Sequence, residues 1–134
     1  MLVPRQPGDD FRDGCPYHRA CLEGFASGTA LRKRWGNPEQ MDSAALALEA
    51  YYLGCGITNI ITFMSPQRII IGGGVMRQVG LLQRVRQEVA GLLNGYVETP
   101  TDKDFITQPA LGGESGIYGA LLLASASGPD APGS

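Results

Sequence analysis

Excess charge of either sign is what this chain most plainly lacks. Its 134 residues carry 11 Lys and Arg against 13 Asp and Glu, a formal charge of −2, and apart from Arg32, Lys33 and Arg34 the basic residues are scattered. Nucleic acids and anionic bilayers are recognised by concentrated basic surface, so neither is an expected partner. No apolar run approaches the roughly 20 residues of a membrane span, and the opening M-L-V-P-R-Q-P-G-D-D has no apolar secretory core. The chain therefore reads as cytoplasmic. Cysteine is scarce and odd in number, three in all, which argues against a disulfide framework. In a reducing compartment a close cysteine pair is better suited to holding metal. Histidine is scarcer still, with His18 alone. Neither a G-x-G-x-x-G fingerprint nor a P-loop lysine accompanies the glycines, and there is no internal repeat. The length suits one domain with a core but is short for an enzyme that closes around two substrates.

What is present concentrates between Gly14 and Gly36, G-C-P-Y-H-R-A-C-L-E-G-F-A-S-G-T-A-L-R-K-R-W-G. Cys15, His18 and Cys21 form a C-x2-H-x2-C array, a spacing at which a short loop can turn three soft or borderline ligands onto one Zn2+. A tetrahedral structural site takes a fourth ligand, and none is obvious. Leu22, Phe25, Ala26, Thr29 and Ala30 then recur at helical spacing. Arg32, Lys33 and Arg34 suit the negative end of the helix dipole, and Gly36 can cap it. One helix is thus expected to start at the metal loop, with Glu23 in its first turn, so that ordering the loop fixes the direction of that carboxylate. On residues alone Glu23 is more often a dipole or capping group than a functional one.

The remainder reads as scaffold. Residues 1 to 14 form a loop. Asp42 or Ser43 can cap a largely buried helix carrying Leu46, Ala50, Leu53, Ile57, Ile61 and Met64, in which Gly54 and Gly56 imply close approach by a neighbour. Arg68 to Met76, R-I-I-I-G-G-G-V-M, predicts a strand buried on both faces that runs into Gly72, Gly73 and Gly74, and hence an α/β sheet. Those glycines taken alone are more often a tight turn than a ligand loop. An amphipathic helix follows through Leu82, Val85, Val89, Leu92 and Leu93, ended by Asn94 and Gly95. Residues 104–109 predict a short strand, and Glu114, Ser115 and Gly116 cap a last apolar helix to Ser125. Trp35, Tyr51, Tyr52 and Cys55 read as core. The chain divides into a metal loop with its helix (1–36), an α/β body (37–126) and a flexible tail (127–134).

C-P-Y-H-R-A-C-L-E-G-F-A-S-G-T-A, R-I-I-I-G-G-G-V-M and P-A-L-G-G-E-S-G-I-Y-G-A-L-L-L-A together resemble the C-terminal half of a sugar kinase of the repressor, open-reading-frame and kinase (ROK) family, and within it the bacterial fructokinases. The resemblance runs from about Met1 to Ala124. It implies half of an RNase H-like, actin-like ATPase fold of the hexokinase type with a zinc-binding loop. It also implies structural Zn2+ at Cys15, His18 and Cys21, a sugar-hydroxyl acceptor at Glu23, nucleotide at Gly72, Gly73 and Gly74, and Mg2+ and ATP as phosphoryl donor to fructose. The family's D-x-G-x-T phosphate loop, its general-base aspartate and its fourth zinc ligand, a histidine, have no counterpart here; Asp102 and Asp104 read as turn residues. The resemblance thus implies an incomplete kinase, inactive alone, that is marginally stable or self-associates as a homodimer through uncovered apolar surface. Two alternatives stand beside it. One is a kinase for glucose or an N-acylated hexosamine, although such relatives usually show C-x-C-G-x-x-G-C. The other is a zinc-stabilised interaction or regulatory module without catalysis.

Overall fold

The computed structural model describes residues 1–12, 14–37, 41–100 and 104–126; the expected tail and the Asp102 turn lie outside them. Its elements in chain order are α1 (Leu22–Ala26), α2 (Gly28–Trp35), α3 (Ser43–Met64), β1 (Ile69–Ile70), a 3-10 turn (Gly74–Arg77), α4 (Leu81–Leu93), β2 (Ile106–Thr107), a second 3-10 turn (Gly112–Glu114) and α5 (Ser115–Ala126). The architecture is mixed α/β.

The 22-residue α3 is the centre of the body. Asp42 starts it by accepting the Ala45 N–H at 2.8 Å, and Ser65 ends it in the left-handed region at φ 45°. One face of α3, with Ala50, Ile57 and Ile61, packs against Met76, Leu81, Val85, Val89, Leu93, Phe105 and Ile106. Another face, with Tyr52 and Cys55, meets Val3, Phe25 and Ala26. Both expected close approaches occur at the glycines. A Cβ on Gly54 would lie 2.8 Å from the Glu88 Cβ of α4, and one on Gly56 would lie 2.6 Å from Leu22 Cδ2 of α1. By length and composition α3 could cross a bilayer, contrary to the expectation from apolar runs, but half of its apolar stretch is buried inside this protein and it carries the buried acid Glu49. Met64, read as part of the inward face, is exposed because the chain leaves the core in the last turn.

Three further expectations are corrected. The helix after the metal loop is two helices, because Ser27 adopts an extended backbone (φ −78°, ψ 154°) and its hydroxyl caps α2 through the Ala30 N–H at 3.1 Å. The Ile69–Ile71 strand is not buried on both faces: Ile70 is 63% exposed, since among the described residues β1 has only β2 beside it. Arg34 is no simple dipole cap. Its guanidinium pairs with Asp9 at 3.0 Å, both side chains being nearly inaccessible. The strand, helix and parallel strand of a βαβ unit are present, with Ile69 opposite Ile106 and Ile70 opposite Thr107 and α4 as the connecting helix.

Candidate functional site

Cys21 does two jobs at once. Its thiol accepts the Gly24 N–H at 3.3 Å and so caps α1, while its chain neighbour Leu22 donates its N–H to the Met1 carbonyl at 2.9 Å. That fixes one end of the metal loop against the N-terminal segment. Arg5 holds the other side, donating to the carbonyls of Asp9, Phe11 and Arg19 at 2.9, 2.6 and 2.7 Å. The result brings Cys15, His18 and Cys21 together, their ligand atoms all within 4.8 Å of one another. Cys15 Sγ lies 3.7 Å from His18 Nδ1, close to the separation of about 3.5 Å that Zn–S and Zn–N bonds of about 2.3 and 2.0 Å give in a tetrahedron. The Tyr17 and His18 backbone N–H groups, followed by the His18 ring and Cys21, favour the Cys15 thiolate and bring its pKa down to about 7. A thiolate is the metal-binding form, so this donor set fits zinc. Glu23, two residues beyond the capping cysteine, is exposed in the first turn of α1; its carbonyl, not its carboxylate, receives the Ser27 N–H.

The glycine triplet forms the wall between two hollows. One, of about 290 Å³, has Gly72–Gly74, Arg77, Gln108, Pro109, Gly113 and Ser115 around it. The other, of about 520 Å³, opens toward α2, where Gly28 and Arg32 face the same glycines. Gly73 needs its lack of a side chain for its backbone, at φ 102°, while Gly74 has nothing within 4 Å of where a Cβ would stand. The structure does not bring Glu23 to either hollow, whose linings lack it. Arg77 lines both hollows, and sequence reasoning missed it. The available signal was its place at the end of the 3-10 turn that the glycines begin. Gln108 steadies that turn by donating to the Met76 carbonyl at 2.6 Å. An arginine beside exposed glycine backbone can bind a phosphate oxygen through charge-assisted bonds.

A buried polar cluster behind α2 also escaped the sequence. Tyr52, fully buried, donates to Asp9, which pairs with Arg34, and Arg34 lies over the Phe11 ring at 4.4 Å. Burial works to raise the Asp9 pKa, but the bonds from Tyr52 and the Phe11 N–H and the charge of Arg34 outweigh it and leave it lowered. Glu49 is 2% exposed and its Oε1 has no partner. Burial pushes its pKa up to about 8 against the pull of Arg34.

The chain thus joins an α/β body bearing a glycine-walled hollow to a candidate metal centre at the start of a helix. The ROK family model matches residues 7–127, and the chain belongs to the ROK family. It is 42% identical over 129 residues to a fructokinase of Pediococcus pentosaceus, covering 94% of this chain and 45% of that protein. It is 44% identical over 128 residues to the fructokinase of Zymomonas mobilis, covering 91% of this chain and 42% of the relative. With a putative fructokinase of Bacillus subtilis the identity is 37% over 132 residues, at 92% and 44% coverage. The chain thus spans less than half the length of the curated relatives it matches.

Proposed function

We propose that this chain is the sugar- and nucleotide-binding C-terminal portion of a fructokinase, transferring the γ-phosphoryl group of ATP to a fructose hydroxyl when joined to the rest of such an enzyme. The 42–44% identity to two fructokinases across more than nine-tenths of this chain carries the reading. The parallel β1–α4–β2 unit then belongs to the C-terminal half of an actin-like ATPase fold, with 1–36 as the metal loop and its helices, 37–126 as the α/β body and 127–134 as a tail. Phosphoryl transfer is catalysed chiefly by positioning and electrostatic stabilisation. In that scheme the Gly72–Gly74 backbone lets the nucleotide approach where a Cβ would obstruct it, and Arg77 supplies positive charge to its phosphates. Glu23 accepts hydrogen bonds from sugar hydroxyls. Mg2+ enters with ATP. Cys15, His18 and Cys21 hold Zn2+, whose role is to fix the loop and, through the Cys21 cap, the start of α1 and the direction of Glu23. Such a kinase acts in the cytoplasm on a soluble sugar.

The test is a chimera in which residues 1–126 replace the matching portion of the Pediococcus fructokinase. Phosphorylation of fructose in preference to glucose and N-acetylhexosamines is the expected result. A folded chimera that ignores fructose, or prefers another hexose, overturns the reading.

A further inference from the structure

Two sulfurs of unequal exposure meet over one bare stretch of backbone. Cys15 is half-buried and lines a hollow of about 540 Å³ with Phe11, Arg12, Pro16 and Lys33, so a small solute reaches its sulfur from the surface. Cys21 is 4% exposed. The missing side chain of Gly24 lets both lie against the first turn of α1, since a Cβ there would meet Cys15 Cβ at 3.0 Å and Cys21 Sγ at 3.3 Å. The two sulfurs stand within 4.8 Å of each other, whereas a disulfide brings them to about 2.0 Å. Residues 16–19, which link them, are exposed and belong to no helix or strand, so the loop can close that gap without disturbing the core. Cys55 is buried among Val3, Phe25, Ala26 and Tyr52 and has no part in the hollow's lining.

We propose that the metal loop is a hydroperoxide-sensitive switch: a hydroperoxide oxidises Cys15, Cys21 closes a disulfide on it, and the zinc ion leaves. The Cys15 sulfur attacks one oxygen of the hydroperoxide and the O–O bond breaks, leaving a sulfenic acid and, with a proton from water, an alcohol. The Cys21 sulfur then attacks the Cys15 sulfur, the S–O bond breaks, and the oxygen departs as water with a second proton. The two thiolates supply the two electrons that reduce the hydroperoxide, so no other reductant is involved. Both sulfurs are thereby lost to the metal, and of the three ligands His18 alone is left, too few to retain zinc. Cys21 Sγ also accepts the Gly24 N–H, so drawing it toward Cys15 loosens the start of α1, where Glu23 stands. Small thiols reverse the bond by exchange, and a reversible disulfide in a reducing compartment serves sensing, not structure. The switch needs the zinc proposed for this loop and does not depend on which sugar the chain binds.

Metal release and mass test it together. The zinc-loaded 134-residue chain is treated with an equimolar amount of hydrogen peroxide beside a chromophoric zinc chelator, and the product is mapped by mass spectrometry. The expected result is release of about one zinc per chain, a mass loss of about 2 Da and a Cys15–Cys21 cross-link, with Cys55 unmodified. Thiol reductant and added zinc should then restore both the starting mass and the metal content. A chain that carries no zinc at the outset refutes the metal site, and the switch with it. A zinc-loaded chain that keeps its metal under excess peroxide refutes the switch alone. So does release accompanied by added oxygen on Cys15 without a Cys15–Cys21 bond, or release that thiol reductant and zinc do not reverse.

Discussion

Gly14 lies against the carbonyl of Gly24, so close that a Cβ on Gly14 would stand 1.6 Å from that oxygen, and a Cβ on Gly24 would in turn meet Cys15 Cβ at 3.0 Å and Cys21 Sγ at 3.3 Å. Two bare backbones thus allow the metal loop to sit on the first turn of α1. Gly14→Ala must push the loop away from the Gly24 N–H that supports Cys21. Zinc affinity should fall about 10- to 100-fold, the loss typical when support for metal ligands is removed, as read by competition with a chromophoric chelator. Unchanged affinity would mean that the contact does not shape the loop.

Metal content itself should be close to one zinc per chain in protein purified without chelator. Joint replacement of Cys15 and Cys21 by Ser should reduce it to background, measured by plasma emission. A stoichiometry near zero in the wild-type protein, or one indifferent to the double change, rules out this site.

For the nucleotide, the informative pair is Arg77→Ala and Gly74→Val in the complete chimeric enzyme. Gly74 has open space where a Cβ would stand, without the positive φ that makes substitution at Gly73 a strain experiment. Each change should raise the KM for ATP by about 10-fold or more, as expected for losing a bond to a charged group or filling the approach to one. Wild-type ATP kinetics in both would reduce the triplet to a turn.

Glu23→Gln in the same enzyme should weaken fructose binding by about 1.5 to 3 kcal/mol, because a carboxylate accepting charge-assisted bonds becomes an amide with one acceptor oxygen. Glu23 is exposed, so the fold should not respond. If fructose KM and kcat both stay put, the carboxylate serves only the helix terminus.

Glu49 makes stability depend on pH. Its folded pKa, about 8, lies above its ordinary 4.5, so between those values the folded state holds a proton that the unfolded state has released. Stability attributable to Glu49 is therefore present at low pH, declines from about 4.5 upward and is gone above about 8. Glu49→Gln should remove that decline and stabilise the chain at pH 8 by on the order of a few kcal/mol relative to wild type. Urea midpoints at pH 5 and 8 give the comparison. Parallel pH profiles for the two proteins would place Glu49 in contact with water or an unrecognised partner.

Local patterns carried the sequence reading well and long-range pairings defeated it. The C-x2-H-x2-C spacing, the Asp42 cap and the close approach at Gly54 and Gly56 each reside within a few residues, and each appears in the structure; the α4 stripe appears through Val85, Val89 and Leu93, but Leu81 is buried with them and Leu92, expected inside, is exposed. The Ser27 break was missed because Leu22 to Ala30 keeps helical spacing through a residue whose hydroxyl favours a new cap. Asp9 and Arg34 are 25 residues apart and Asp9 and Tyr52 are 43 apart, so no periodicity reveals that a loop acid, a helix-end arginine and a core tyrosine meet. Glu49 was not singled out, since nothing in its local sequence tells which polar residue of a largely buried helix is left inside without a partner. Ile70 erred the other way: three isoleucines state that a strand belongs in a covered sheet but not whether the covering layer is on the same stretch of chain.

The notches that Gly54 and Gly56 cut into opposite sides of one turn of α3, toward α4 and toward α1, make that helix a party wall. Ile57 and Ile61 furnish one room and Tyr52 and Cys55 the other, so neither can be gutted without cracking the partition. Collapse on the metal-loop side and on the glycine-hollow side should therefore coincide, Trp35 fluorescence and backbone ellipticity reporting one shared denaturant midpoint.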